Sequence, residues 1–139
     1  IFTASSCPSV VATTKAALHI IKTHPQLREK LWNNANQLYE GLQKAGYLLG
    51  AEVGPIIAAM IPTKEMALSM WQGLLEQGIY VNLMIPPATP NGESLLRCSV
   101  SAAHTPKQID SIIQGFSALY SSLENHPESL EPQTTQPLH

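Results

Sequence analysis

Arg97 stands inside an otherwise apolar run, Leu95-Leu-Arg-Cys-Ser-Val100, between a proline-rich stretch and a helix start at Thr105-Pro106. Side chains alternate along a strand, so Leu95, Arg97, Ser99 and Ser101 share one face and Leu96, Cys98 and Val100 the other. The second face is uniformly apolar and has to pack on helices. The first is the polar face, free to border a cleft. Removing a guanidinium from water is costly unless an anion meets it. From spacing alone, Arg97 is either a surface or salt-bridged arginine, as most are, or the ligand of a carboxylate or phosphate.

The flanking patterns supply the covering helices. Val10, Val11, Ala16, Ala17, Leu18, Ile20 and Ile21 make a helix apolar over much of its circumference, the kind normally buried in a large body. Pro25 restarts the chain at a first helical turn, and Leu27, Leu31, Ala35, Leu38, Leu42 and Ala45 follow at helical spacing up to a stop at Gly46. The continuous apolar run 55–61 predicts a central strand. Thr63 predicts the cap of a helix carrying Met66, Met70, Trp71, Leu74 and Leu75, closed by Gly78. Alternation over 79–84 predicts another strand, and Leu95 to Ser101 a third. Thr105, Pro106 and Gln108 have the spacing of a capping box ahead of Ile109, Ile112, Ile113, Phe116, Leu119 and Tyr120.

This order of elements predicts an α+β fold, a small mainly antiparallel sheet covered by helices and preceded by a long apolar helix. The expected division is a turn and linking helix over 1–24, the α+β domain over 25–123, and a disordered tail over 124–139, where Pro, Gln, Glu and Thr dominate.

With 139 residues there is enough chain for one real core. A net charge of -2 gives no electrostatic case for nucleic acid or an anionic membrane. No apolar run approaches the roughly 20 residues of a spanning helix, and no basic-then-apolar leader precedes the first turn. The chain starts at Ile1 in mid-motif and reads as a fragment of a longer polypeptide. Cys7 and Cys98 fit no disulfide or CxxC pattern, which points to free thiols in a reducing cytosol. His19, His24, His126 and His139 have no metal-ligand spacing, so no metal is expected, and His104 reads as a structural turn residue.

The motifs Phe2-Thr-Ala-Ser-Ser-Cys-Pro8, Val81-Asn-Leu, Pro86-Pro-Ala-Thr-Pro90 and Leu95-Leu-Arg-Cys-Ser99 are specific in combination. Together, from about Phe2 to Tyr120, they resemble the C-terminal domain of the α-oxoamine synthases, pyridoxal-phosphate enzymes that condense an amino acid with an acyl-CoA. The loop and strand are most similar to the branch that joins L-serine to a long-chain acyl-CoA with loss of CO2, giving a 3-keto sphingoid base. Aminolevulinate synthase, glycine C-acetyltransferase and a non-catalytic structural subunit remain the alternatives.

The resemblance implies a cytoplasmic homodimer with shared active sites and the small-domain fold of a fold-type I pyridoxal-phosphate enzyme. It implies that Arg97 grips the α-carboxylate of the amino acid. The loop carrying Pro87, Ala88 and Thr89 would be mobile and close over it. Thr3, and less directly Ser5, would lie near the cofactor phosphate held by the neighbouring subunit. Ile85 stands where some members of the serine branch carry an arginine. None of the six lysines lies in a Ser/Thr-rich Schiff-base motif, so no catalytic lysine is expected in this chain.

Overall fold

A computed structural model describes residues 6–50, 52–89 and 92–124. Two helices open the chain, α1 (Pro8–Thr23) and α2 (Pro25–Lys44). They are followed by β1 (Leu48–Leu49), β2 (Ile56–Ile61), α3 (Lys64–Glu76), β3 (Asn82–Met84), β4 (Ser94–Ser99) and α4 (Pro106–Glu124). The four strands form one antiparallel sheet in the order β1-β2-β4-β3. Helices α2, α3 and α4 pack together over one face of it.

Local chemistry sets the element ends. The Thr63 hydroxyl accepts from the Met66 amide at 3.2 Å and starts α3. Gly78 ends the helix with φ +76°, a conformation glycine adopts without steric cost. At α4 the capping box is reciprocal: the Thr105 amide donates to Gln108 Oε1 at 2.8 Å, and the Gln108 amide donates to Thr105 Oγ1 at 3.3 Å. Where α2 crosses α4, a Cβ on Gly41 would run into the Ile113 side chain, so glycine lets the two helices approach this closely.

The covered face of the sheet alternates as expected. Ile57, Ala59 and Ile61 of β2 and Leu96 and Cys98 of β4 are buried against Leu38 and Leu42 of α2, Met70 and Leu74 of α3, and Ile109 and Phe116 of α4. Tyr47 closes one end of this core. Its hydroxyl donates to the Phe116 carbonyl at 2.8 Å, and its ring meets Phe116 and Tyr120 edge-on.

Two strand expectations are corrected, and one strand is new. Strand β3 is only Asn82–Met84, because the Ile79 amide donates to the Leu74 carbonyl and closes the end of α3, which takes it out of the ladder. Strand β4 ends at Ser99. The Val100 amide still reaches the Pro55 carbonyl at 2.8 Å, but Ser101 turns to pair with His104. The two-residue β1 went unread, since Leu48 and Leu49 are too short a run to show a period. Residues 125–139, expected as a tail, lie outside the described residues, and α4 continues through Glu124.

Two apolar surfaces stay uncovered. No residue of α1 is buried, and Val10, Val11, Leu18, Ile20 and Ile21 are all exposed. The other face of the sheet carries Leu48 at 73% exposure and Ile56 at 60%, with half-buried Ala58, Met60, Met84 and Leu95. Arg97 lies on this open face.

Candidate amino-acid carboxylate site

Strand β4 is interior, so Arg97 has a neighbour on each side in the same rung. Ala58 of β2 is its partner on one side and Asn82 of β3 on the other. Directly opposite residues project to the same face. The rung toward the loop carries Met60, Leu95 and Met84, and the rung away from it carries Ile56 and Ser99. The guanidinium therefore rises from an apolar floor. Its Nε is fully buried and has no hydrogen-bond partner among the described residues. The one ion pair there joins Lys44 and Glu40, both on the surface of α2. A buried, unpartnered donor on a cation is costly unless something outside this arrangement completes it.

The proline-rich loop leaves the end of β3. The Ala88 amide donates to the Ile85 carbonyl at 2.9 Å, forming a tight turn that contains a cis Pro86–Pro87 bond. Pro87 and Ala88 are exposed at its tip. Thr89 is buried instead, and its hydroxyl donates to the Glu93 carbonyl, holding the loop's two limbs together. Arg97 sits two residues along β4 from the Met84–Leu95 rung at the loop's base, roughly 7 Å at strand spacing. Pro87, Ala88 and Thr89 thus lie on the loop that follows β3, the edge strand paired with Arg97's strand. Thr3, Ser5 and Pro90 lie outside the described residues.

All six lysines lie on helices: Lys15 and Lys22 on α1, Lys30 and Lys44 on α2, Lys64 on α3 and Lys107 on α4. None is on the sheet with Arg97. Among the described residues no three His, Cys, Asp or Glu side chains cluster as metal ligands. His104 is a turn residue, as expected. Its Nδ1 accepts from the Ser101 amide at 3.0 Å. Its partner Asn34 was not legible in the sequence; the Asn34 Nδ2 donates to the carbonyls of Ser101 and His104 at 3.0 and 2.9 Å.

The two thiols differ. Cys7 is exposed and held below its ordinary range by the Ser9 hydroxyl at 3.1 Å. Burial pushes Cys98 up to about 12. In the unfolded chain Cys98 ionises above about pH 8.5, while in the fold it stays neutral. The unfolded state therefore loses its proton first, and stability falls as pH rises from about 9 to 12; below that window the contribution is intact. The urea midpoint should drop across that range, and less steeply in Cys98→Ala. Equal slopes would mean that Cys98 ionises freely in the folded protein.

The sequence model for aminotransferase class I and II matches residues 1–116. The chain belongs to the aminotransferase class I and II family. Within it, serine palmitoyltransferase from Caulobacter vibrioides is 48% identical over 122 residues, covering 88% of this chain and 30% of that protein. A 2-amino-3-ketobutyrate coenzyme A ligase of Escherichia coli is 32% identical over 123 residues, covering 88% of this chain and 31% of that protein. A solved structure of serine palmitoyltransferase with pyridoxal phosphate superposes with a TM-score of 0.81 at 46% identity, covering 89% of this chain and 32% of that one. The antiparallel sheet with its helices is thus the C-terminal small domain of a fold-type I pyridoxal-phosphate enzyme of this aminotransferase family. The chain spans about 30% of the length of the curated relatives it matches. No helix among the described residues is long and apolar enough to cross a membrane.

Proposed function

We propose that this chain is the C-terminal domain of a serine palmitoyltransferase, an α-oxoamine synthase that condenses L-serine with a long-chain acyl-CoA and releases CO2, coenzyme A and a 3-keto sphingoid base. The observation that carries this reading to the residue level is the buried, unpartnered Nε of Arg97 on the open face of the sheet. That geometry suits one planar anion of carboxylate size, because the guanidinium fork donates two parallel hydrogen bonds to it. Arg97 binds the serine carboxylate and fixes the amino acid's orientation, so that the reacting bonds are aligned before chemistry begins. The apolar floor of Ala58, Met60 and Leu95 keeps water from competing for the guanidinium.

In this reading the chain's share of the site is the amino acid's carboxylate end, since its six lysines all lie on helices and not on the sheet with Arg97. Pyridoxal phosphate, when bound, supplies the electron sink for the carbanion. Thr3 and Ser5 are proposed to meet its phosphate in a neighbouring subunit of a homodimer, and Pro87, Ala88 and Thr89 to close over the amino acid. The proposed division is a linking helix through residue 24 and an α+β domain from 25 to 123. Two cysteines without disulfide spacing support a cytoplasmic setting.

Two serine palmitoyltransferases at 48% identity, against 40% for a putative 8-amino-7-oxononanoate synthase and 32% for the 2-amino-3-ketobutyrate coenzyme A ligase, support the serine reading. The test is substrate pairing in the full-length enzyme. Serine with palmitoyl-CoA should release free thiol and CO2 together. Turnover only with glycine and a short acyl-CoA would move the protein to another branch, and no turnover with any pair would make it a structural subunit.

A further inference from the structure

Asn82 is the residue directly opposite Arg97 across the β3–β4 ladder. In such a pair the Cβ atoms are about 4.5–5.5 Å apart and the side chains share a face. Both residues are half-buried. Among the described residues the Asn82 carboxamide makes no hydrogen bond, just as Arg97 Nε makes none. Ala58 completes the rung on the other side, and the next rung toward the loop is apolar. Asn82 is therefore the polar side chain placed beside the guanidinium on the open face.

Resting on the reading of Arg97 given above, we propose that Asn82 is the second ligand of the amino-acid carboxylate. A carboxylate offers about four lone-pair sites, and a bidentate guanidinium takes two of them. The carboxamide NH2 carries two donors and reaches the same anion from the neighbouring strand. Its neutrality matters. An aspartate there would pair with Arg97 and occupy the seat. A leucine would leave lone pairs bare against an apolar floor. A carboxamide adds donors to the carboxylate without adding charge to the site. The site thus selects amino compounds bearing an α-carboxylate.

The experiment titrates the cofactor absorbance of the full-length enzyme with L-serine and with serinol, in which CH2OH replaces the carboxylate. Asn82→Ala and Asn82→Val should raise the L-serine Kd roughly three- to tenfold, the span of a single hydrogen bond exposed to partial compensation by water. Valine, a better strand residue than asparagine, keeps the test alive where alanine fails to fold. Serinol affinity should be unchanged in both. Asn82→Asp should lose more L-serine affinity than either, because its carboxylate fills the Arg97 seat. L-Serine affinity unchanged in the Ala and Val variants, while Arg97→Ala weakens it, would overturn this proposal alone. Equal weakening for serinol and L-serine would also overturn it, since Asn82 would then shape the site without touching the carboxylate. L-Serine affinity unchanged in Arg97→Ala would overturn both readings together.

Discussion

Replacing Arg97 by alanine in the full-length enzyme should weaken L-serine binding roughly ten- to a hundredfold and leave the cofactor in place. The magnitude is that of one hydrogen-bonded ion pair to a carboxylate, on the order of 1.5–3 kcal/mol. Arg97 is well suited to show the full loss, because it has no ion-pair partner among the described residues that could hide the effect by rearranging. Arg97→Lys should recover only part, since a point charge cannot reproduce the planar fork. The fold should tolerate both changes. The Arg97 side chain belongs to the open face, and the core beneath β4 is built by Leu96 and Cys98. Titration of the cofactor absorbance with L-serine measures the affinity, and the absorbance before serine reports cofactor loading. Unchanged serine affinity in Arg97→Ala would make Arg97 a structural arginine and remove the proposed carboxylate seat.

Signals confined to a few neighbouring residues were legible in the sequence. The Thr105–Gln108 capping box, the Thr63 cap, the Gly78 stop and the buried face of β4 all follow from spacing, and the structure shows each of them. The uncovered α1 was legible too, because its apolar residues cover much of the helix circumference, and among the described residues none of them is buried. What escaped depends on distant partners. Alternation through Ile79 and Val81 looks like strand, yet the Ile79 amide is claimed by Leu74 five residues back. Arg97 was conspicuous as a charge in an apolar strand. Asn82 was only the polar member of an alternating pattern, because its place beside Arg97 is a matter of register. That register is set by the path of the chain between Met84 and Ser94, which no local rule reads. The same holds for Thr89, whose hydroxyl donates to the Glu93 carbonyl across its own loop.

Asn34 should prove the most sensitive polar residue for stability, although nothing in the sequence sets it apart from Asn33 and Asn36. It is 2% exposed on α2, and its carboxamide donates to both Ser101 and His104 carbonyls, 67 and 70 residues away. Those bonds tie the turn between β4 and α4 to α2, at the point where the capping box starts the last helix. Asn34→Leu keeps the volume and deletes both donors. Leaving acceptors unmet costs about 1–3 kcal/mol each when they are buried; Ser101 is exposed, so water relieves part of this and about 2 kcal/mol is expected. At the usual 4–8 °C per kcal/mol for about 100 ordered residues, Tm falls roughly 10 °C. Asn34→Asp should be worse, because a buried carboxylate faces two carbonyl oxygens and has no proton to donate. Thermal and urea unfolding of the two variants beside the parent chain measure this order. A melting point for Asn34→Leu equal to that of the parent would show that the turn is held by its own capping box and not by α2.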